Sequence, residues 1–464
     1  MSKMYVDFPQ SVVRAGVARG DITPPVGIYH RMWGAATHDR STGVHRPLTA
    51  TALVLAPIDT SSDAAPVVFL AVDHCLLWTK EMHALLSAVA GKAEAPQESL
   101  VVFFSHTHAA GLMGLERCSL PGGDLIPGYL ATLAEKLAGL VRDARATLRP
   151  ASIVYGTGRC DLATNRDYFD AARGEYVCGY NPEGVADDTV LVARIVDDND
   201  SPLATIANYA CHPTTLAWEN TLISPDYIGA MREVVESATR APCFFIQGAS
   251  GDIGPREGFV GDVAVADRNG RRLGYAALAA LESLPAPQQR LAYAGAVVSG
   301  ATLGPWRFQP APDERRQAAS FWQESRTTVP LEYRDDLGSA VELQTERTKW
   351  EREQAAAEAA GDAIRARDAR AMIERATRRL TRVHSLPPGE SYPYPIRAWR
   401  MGDAIWLALD GEHYNVLQRT LRERYPETPI VIGTIANGSN VWYLPDAASY
   451  GKGLYQESAS VLAK

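Results

Sequence analysis

Cysteine is scarce and unpatterned in this chain: six in 464 residues, with no CxxC spacing among Cys75, Cys118, Cys160, Cys178, Cys211 and Cys243. That excludes a zinc ribbon and a dense disulfide framework. A reducing cytoplasm is the default expectation, with a Cys160–Cys178 bridge as the alternative. No apolar run reaches the length of a membrane span, so no integral membrane segment is expected. The opening MSKMYVDFPQSVVRAG has neither a basic start leading into an apolar stretch nor a small-residue cleavage site, so a secretory leader is not expected. Positive charge is in deficit: 46 Lys and Arg against 54 Asp and Glu, a net charge of −8, argue against a nucleic-acid partner. No repeat or low-complexity tract is visible.

What is present is ordinary globular usage, 46% hydrophobic and 22% charged, in a chain long enough for a large core. Residues 67–72, 100–104, 151–155, 190–195, 203–209 and 243–246 read as strands, and 127–148 and 227–239 as helices between them. The predicted fold is therefore α/β, a mixed β-sheet core with flanking helices. Composition then shifts. Residues 310–386 are rich in Ala, Arg, Glu and Gln, and Trp350, Ile364, Met372 or Ile373, and Leu380 can supply an apolar stripe. This predicts an inserted helical arm, one long helix or a pair broken near Gly361. Solvated charged faces are the first reading of the arm; self-association into a homo-oligomer, or lining of a substrate channel, is the second. Beyond a Pro-rich connector at 385–395, strand patterns return at 396–400, 404–409 and 430–435. They are too few for a separate domain, so they are expected to complete the first sheet. One domain, 1–464, with the helical insertion inside it, is the predicted organisation.

The chemistry is concentrated where apolar runs stop. In LVVFFSHTHAAG a buried-strand pattern ends at His106 and His108, which period two places on one side. The pair suits a metal site or an acid/base pair, and equally a hydrogen-bonded loop. ATIANYACHP delivers His212 in the same way, AIWLALDGEH delivers Glu412, and FFIQGASGDIGP ends in small and polar residues. Strand ends are where α/β proteins gather ligand-binding groups. Hydrolytic zinc takes three or more N or O ligands and leaves a place for water. His106, His212 and Glu412 qualify as ligands; structural hydrogen bonding is the competing reading. Ser250 departs from a GxSxG elbow, and Asp252 either caps a turn or orients a metal-bound histidine. Arg19-Gly20-Asp21 reads as a tight turn in which Asp21 bonds nearby backbone. His45, Asp73 and His74 read as satisfied interior polar residues.

Taken in order, AGVARGDITPP, GVHRPLTATALVL, SHTHAAG, TNRDY, NYACHPTTL, SPDYIGAMR, FFIQGASGDIGP, DGEHYN and NVWYLPDAASYGKGLYQ resemble the neutral/alkaline non-lysosomal ceramidase family. These are zinc-dependent amidases that cleave the N-acyl bond of ceramide. The resemblance implies a Zn²⁺ held by His106, His212, Glu412 and Tyr443. It also implies that His108 faces the substrate and serves as proton carrier, with Arg166 and Tyr455 as partners of the polarised carbonyl. Two departures matter. The family's GDVSPN reads GDIGPR here, so Gly254 replaces a serine and no acyl-enzyme can form there, whereas metal-activated water needs no such serine. The chain also ends shortly after Tyr455, where fuller ceramidases continue into a β-sandwich domain. The expected substrate therefore widens from a lipid-like amide to a smaller soluble one. Hydrolysis of a sugar ester or lactone at the same site, and a metal-free binding protein of the same fold, stay open.

Overall fold

A computed structural model describes residues 4–464 of the protein. Its central sheet has eight strands: β1 (Gln10–Asp21), β2 (Thr49–Pro57), β3 (Val67–Val72), β4 (Leu100–Phe104), β5 (Arg149–Arg159), β6 (Thr189–Asp197), β7 (Pro202–Tyr209) and β8 (Cys243–Gln247). They lie in the order β8-β7-β6-β5-β1-β2-β3-β4. Only the outermost pairs, β3–β4 and β7–β8, are parallel. A parallel pair needs a crossover. Helix α1 (Thr79–Ala93) and helix α3 (Tyr227–Thr239) supply the two crossovers, and α2 (Ile126–Ala146) and α4 (Val263–Glu282) follow β4 and β8. The chain thus traces one β-β-β-α-β-α order twice, and the halves meet where β1 and β5 pair antiparallel. No repeat was visible in the residues; this one is in topology alone.

Period-two alternation splits each strand between two cores. Ala50, Ala52, Val54 and Leu70 face α1 and α2, while Val190 and Val192 face α3 and α4. Leu53, Leu55 and Phe69 face the other way, onto a second sheet. That sheet is β9 (Trp322–Glu332), β10 (Ser391–Met401), β11 (Ala404–Leu409) and β12 (Ile430–Gly433), in that order. The Phe69 ring lies 5.0 Å from Trp399 and 5.1 Å from Trp406. Its outer face is covered by the helix Asn415–Arg424, whose Leu417 and Leu421 pack on Leu409, Ile430 and Ile432. The layers run helices, sheet, sheet, helix.

Two expectations need correction. The C-terminal strands do not complete the first sheet: alternate residues Trp399, Met401 and Trp406 form an apolar face that is buried by stacking on it. The stretch 310–386 is not helical throughout, because 322–332 form β9, paired with β10 along its whole length. Its helices are a short turn at Asp313–Ala319, then α5 (Ala340–Ala359) and α6 (Ala363–Ser385), broken at Gly361 with φ +72°. Ile364 is 68% exposed, and Leu343, Ala357, Ala369, Ala376 and Leu380 supply the buried positions. Ser339 and Glu342 cap α5 reciprocally, and the Asp362 carboxylate accepts from Arg365 N to cap α6. Glu374 docks α6 on Arg117. All six cysteines are free thiols, so Cys160 and Cys178 are not bridged. No helix among the described residues is long and apolar enough to cross a membrane.

Candidate metal centre and active site

Strands from both halves and from the second sheet end at one place. His106 lies just beyond β4, His212 beyond β7 and Glu412 beyond β11. Tyr443 sits opposite Glu412 in a short parallel pairing of Glu412–His413 with Tyr443–Leu444. His106 turns inward through a left-handed backbone, φ +66°, held by its N–H on the His74 carbonyl at 2.9 Å. A non-glycine residue pays about 1–3 kcal/mol for such a conformation, which persists only where the surroundings impose it. Glycine at 411 lets the Glu412 loop close: at φ +75°, a Cβ there would stand 2.7 Å from the Trp442 carbonyl.

His106, His212 and Glu412 are at most 5% exposed. His106 Nδ1 donates to the Cys75 carbonyl at 2.8 Å and His212 Nδ1 to the Ser250 carbonyl at 3.1 Å. Carbonyls only accept, so each ring carries a proton on Nδ1, and in the neutral ring that a metal requires each Nε2 presents its lone pair. Those Nε2 atoms face each other at 3.0 Å, with Glu412 Oε2 at 3.3 and 3.7 Å. Glu412 Oε2 is buried without a hydrogen-bond partner among the described residues. Three acceptors converging without a donor fit a cation. The ligand atoms of a tetrahedral zinc, each about 2.0–2.1 Å from the ion, stand about 3.3 Å apart. Burial and the Arg166 guanidinium push His212 well below the usual imidazole range, which keeps it neutral as a ligand must be. Burial opposes charge on both His106 and Glu412, yet Cys75 and Glu412 raise the His106 pKa and His106 lowers that of Glu412, so the cluster favours a positive charge between them, the Nε2 proton or a metal ion in its place.

Arg166, 4% exposed, donates Nη2 to the Gly251 carbonyl at 2.7 Å and to the Tyr443 hydroxyl at 3.1 Å. The Tyr443 ring lies 6.4 Å from that of His212, nearly parallel at 19°. In front of this group opens a cavity of about 320 Å³ floored by His108, Arg166 and Tyr443. His108 Nε2 is 3.5 Å from His106 Nε2, and its ring rests 5.2 Å from Trp33. Burial, then His106 and Arg166, drive His108 well below the usual imidazole value. Tyr455 lines the cavity with its ring 5.8 Å from Tyr443. The facing wall belongs to α6, through Ala371, Glu374, Arg375, Arg378 and Arg379. The arm therefore lines the cavity.

All seven residues named from the sequence are brought together. Others are not. Asp252 does not orient a histidine: it accepts from Asn415 N at 2.7 Å, and the Ser250 carbonyl takes the place at His212. Ser250 Oγ is bonded to Gln247 Nε2 at 2.7 Å. Arg19-Gly20-Asp21 remains in strand β1 rather than a turn, although Asp21 does accept from Thr23 N at 2.7 Å. Asp73 pairs with Arg232, His74 meets the Tyr129 hydroxyl at 2.5 Å, and His45 meets Ser224 and Asp267. Sequence reasoning missed Trp33, Cys178 and the α6 arginines as cavity residues, since nothing local marks which helical face a pocket will meet.

Fold and cluster define an α/β protein with a buried histidine–glutamate centre at converging strand ends. The chain matches the family described as neutral/alkaline non-lysosomal ceramidase, N-terminal, over residues 13–259. It belongs to that family. The match spans His106, His108, Arg166 and His212. Neutral ceramidase of Pseudomonas aeruginosa is 25% identical over 224 residues, 47% of this chain and 32% of that protein. Neutral ceramidase B of Dictyostelium discoideum is 25% identical over 286 residues, 56% of this chain and 39% of that protein. The aligned part is thus about a third of the length of these relatives. The crystal structure of the Pseudomonas aeruginosa enzyme superposes with a TM-score of 0.64 at 16% identity, covering 98% of this chain and 72% of that one. The shared fold therefore extends past residue 259 to Glu412, Tyr443 and Tyr455.

Proposed function

We propose that this protein is a zinc-dependent hydrolase of N-acyl amides. The observation that carries the reading is the convergence of two imidazole Nε2 atoms and one carboxylate oxygen, within 3.0–3.7 Å of one another and without a donor. His106, His212, Glu412 and Tyr443 would hold the ion. A bound zinc supplies Lewis acidity toward a carbonyl oxygen and brings the pKa of water toward about 7.

The chain's own residues do the rest. His108, neutral at rest, presents Nε2 at the cavity floor, where it takes a proton from the attacking water and passes it to the departing amide nitrogen. Arg166 fixes the Tyr443 hydroxyl and keeps positive charge beside the developing oxyanion. Tyr455 offers a phenolic donor beside Tyr443. Attack by water needs no serine nucleophile, and Ser250 Oγ accepts from Gln247 Nε2 at 2.7 Å.

The test is metal content by plasma mass spectrometry on wild type and His212→Ala, paired with hydrolysis of an amide and ester panel. Stoichiometric zinc lost in the variant, together with amide hydrolysis lost in the same sample, supports the reading. Full activity in metal-free His212→Ala overturns it. Turnover of esters alone transfers the site to the ester or lactone alternative.

A further inference from the structure

A second chamber, about 210 Å³, adjoins the catalytic cavity and shares Arg375, Arg379, Ser458 and Ala459 with it. Arg375, Arg379 and Arg382 line it from α6, spaced so that they share one helical face. Its carboxylates are already committed. Asp336 is clamped by the two-pronged Arg334 at 2.7 Å, and Glu374, on the catalytic side, is held by Arg117 and Arg378. Arg379 reaches Glu346 at 3.5 Å and donates to the Leu337 carbonyl at 3.4 Å. Among the described residues Arg375 has no side-chain hydrogen-bond or ion-pair partner.

Arg382 is the informative member. It is 5% exposed, yet its side chain makes one hydrogen bond, from Nη1 to the Ala459 carbonyl at 2.7 Å. Nε and Nη2 are buried without partners among the described residues. Its plane lies over the Trp442 ring, which offsets part of the cost of removing a guanidinium from water. A buried guanidinium with no ion-pair partner among the described residues remains expensive: burial opposes its charge, Tyr455 and Glu412 offset part of that without contact, and Arg378 and Arg379 add repulsion. The chamber thus carries an excess of positive charge on Arg375, Arg379 and Arg382, which an anion there would offset, and guanidinium forks match carboxylate, sulfonate and phosphate oxygens.

Resting on the hydrolase reading above, we infer that the substrate is an N-acyl amide carrying an anionic group away from the scissile bond, received in the second chamber by Arg375 and Arg382. The uncharged remainder fills the catalytic cavity. Carboxylate, sulfonate and phosphate share the required chemistry.

The test uses the zinc-loaded protein and ketone analogues in which a methylene replaces the amide nitrogen, so nothing is hydrolysed. One acyl chain is kept, and the far end of the amine half is a sulfonate or a hydroxyl. Carboxylate and phosphate versions rank the anions, and analogues charged on the acyl half locate the charge. Binding is read from the fluorescence of Trp33 and Trp442, which line the cavity. The anionic analogue is expected to bind at least tenfold tighter than the neutral one, and Arg375→Gln and Arg382→Gln each to cut that ratio at least fivefold. Equal binding of the pair, or a ratio retained in the variants, overturns the inference. Arg375 is exposed, so its variant decides the matter if Arg382→Gln does not fold. Matched amides then separate the two readings. An intact binding preference without hydrolysis of either amide overturns the hydrolase and keeps the anion chamber. Equal hydrolysis of both amides, with no binding preference, does the reverse.

Discussion

The cavity has two walls built on different terms. One carries the candidate metal cluster on strand ends, where main-chain carbonyls of Cys75 and Ser250 aim the two histidines. The other is a face of α6, whose arginines reach inward on long side chains. An arginine carries about 2 kcal/mol of rotamer entropy, part of which is lost on contact with a ligand. An imidazole pinned by backbone has little left to lose. Groups whose position must be right to a fraction of an ångström thus sit on the layers that the whole core holds. Groups that select a ligand sit on an added element that can vary without disturbing them.

Breaking the first wall should have the largest effect. Asp73, buried, pairs with Arg232 and anchors the segment whose His74 and Cys75 carbonyls aim His106. Asp73→Asn leaves Arg232 buried and unpaired, and should cost about 3–5 kcal/mol in urea unfolding. Next comes Arg166→Met, which removes the donor to Tyr443. It should lower zinc affinity or activity by about 10–100-fold, as loss of an outer partner of a metal site typically does. A competition titration against a zinc chelator reads the first, kcat the second.

The second wall should respond to acid. Burial opposes ionisation of Glu374, yet Arg117 and Arg378 hold its pKa down at about 2, below the ordinary 4.5. A depressed carboxylate stabilises the fold above its unfolded pKa and loses that contribution as pH falls through its folded one. Wild type should therefore lose its Tm advantage over Glu374→Gln between pH 4.5 and about 2. The smallest effect belongs to Gly254→Ser. A Cβ at 254 would stand 3.6 Å from Arg166 Cδ and 3.8 Å from Thr214 Oγ1, ordinary contacts. Stability should change by less than about 0.5 kcal/mol, and kcat/KM by less than twofold. A large gain in activity would show that the serine matters after all.

The first wall was far more legible in the residues than the second. VVFLAV and LVVFF are buried on both faces, so continuous apolar runs gave the limits of β3 and β4, and the strand-end rule delivered His106, His212 and Glu412. Tyr443 was different. No spacing marks it, because a two-residue pairing with Glu412 brings it in, and it came only from resemblance. The second sheet was misjudged because alternation shows that a strand has an apolar face but not which sheet that face meets. The arm's helices were legible from composition, including the break at Gly361. Their packing was legible only in part: Leu380 is buried as expected, but Leu343 and three alanines take the other contacts while Ile364 is exposed, and which arginines reach a cavity depends on docking that no local pattern encodes.

One feature of the second sheet bears on how such a protein can be altered. β9 and β10 pair in unbroken register from Trp322 opposite Met401 to Glu332 opposite Ser391. Everything from 333 to 390, both long helices included, therefore leaves and re-enters at neighbouring backbone positions. The closure entropy of a loop grows only slowly with its length, so a hairpin tip of this kind tolerates replacement by a short turn or by a foreign helical pair. The junction is a natural splice point for chimaeras, at which one ligand-selecting wall can be exchanged for another while the strand ends beneath keep their chemistry.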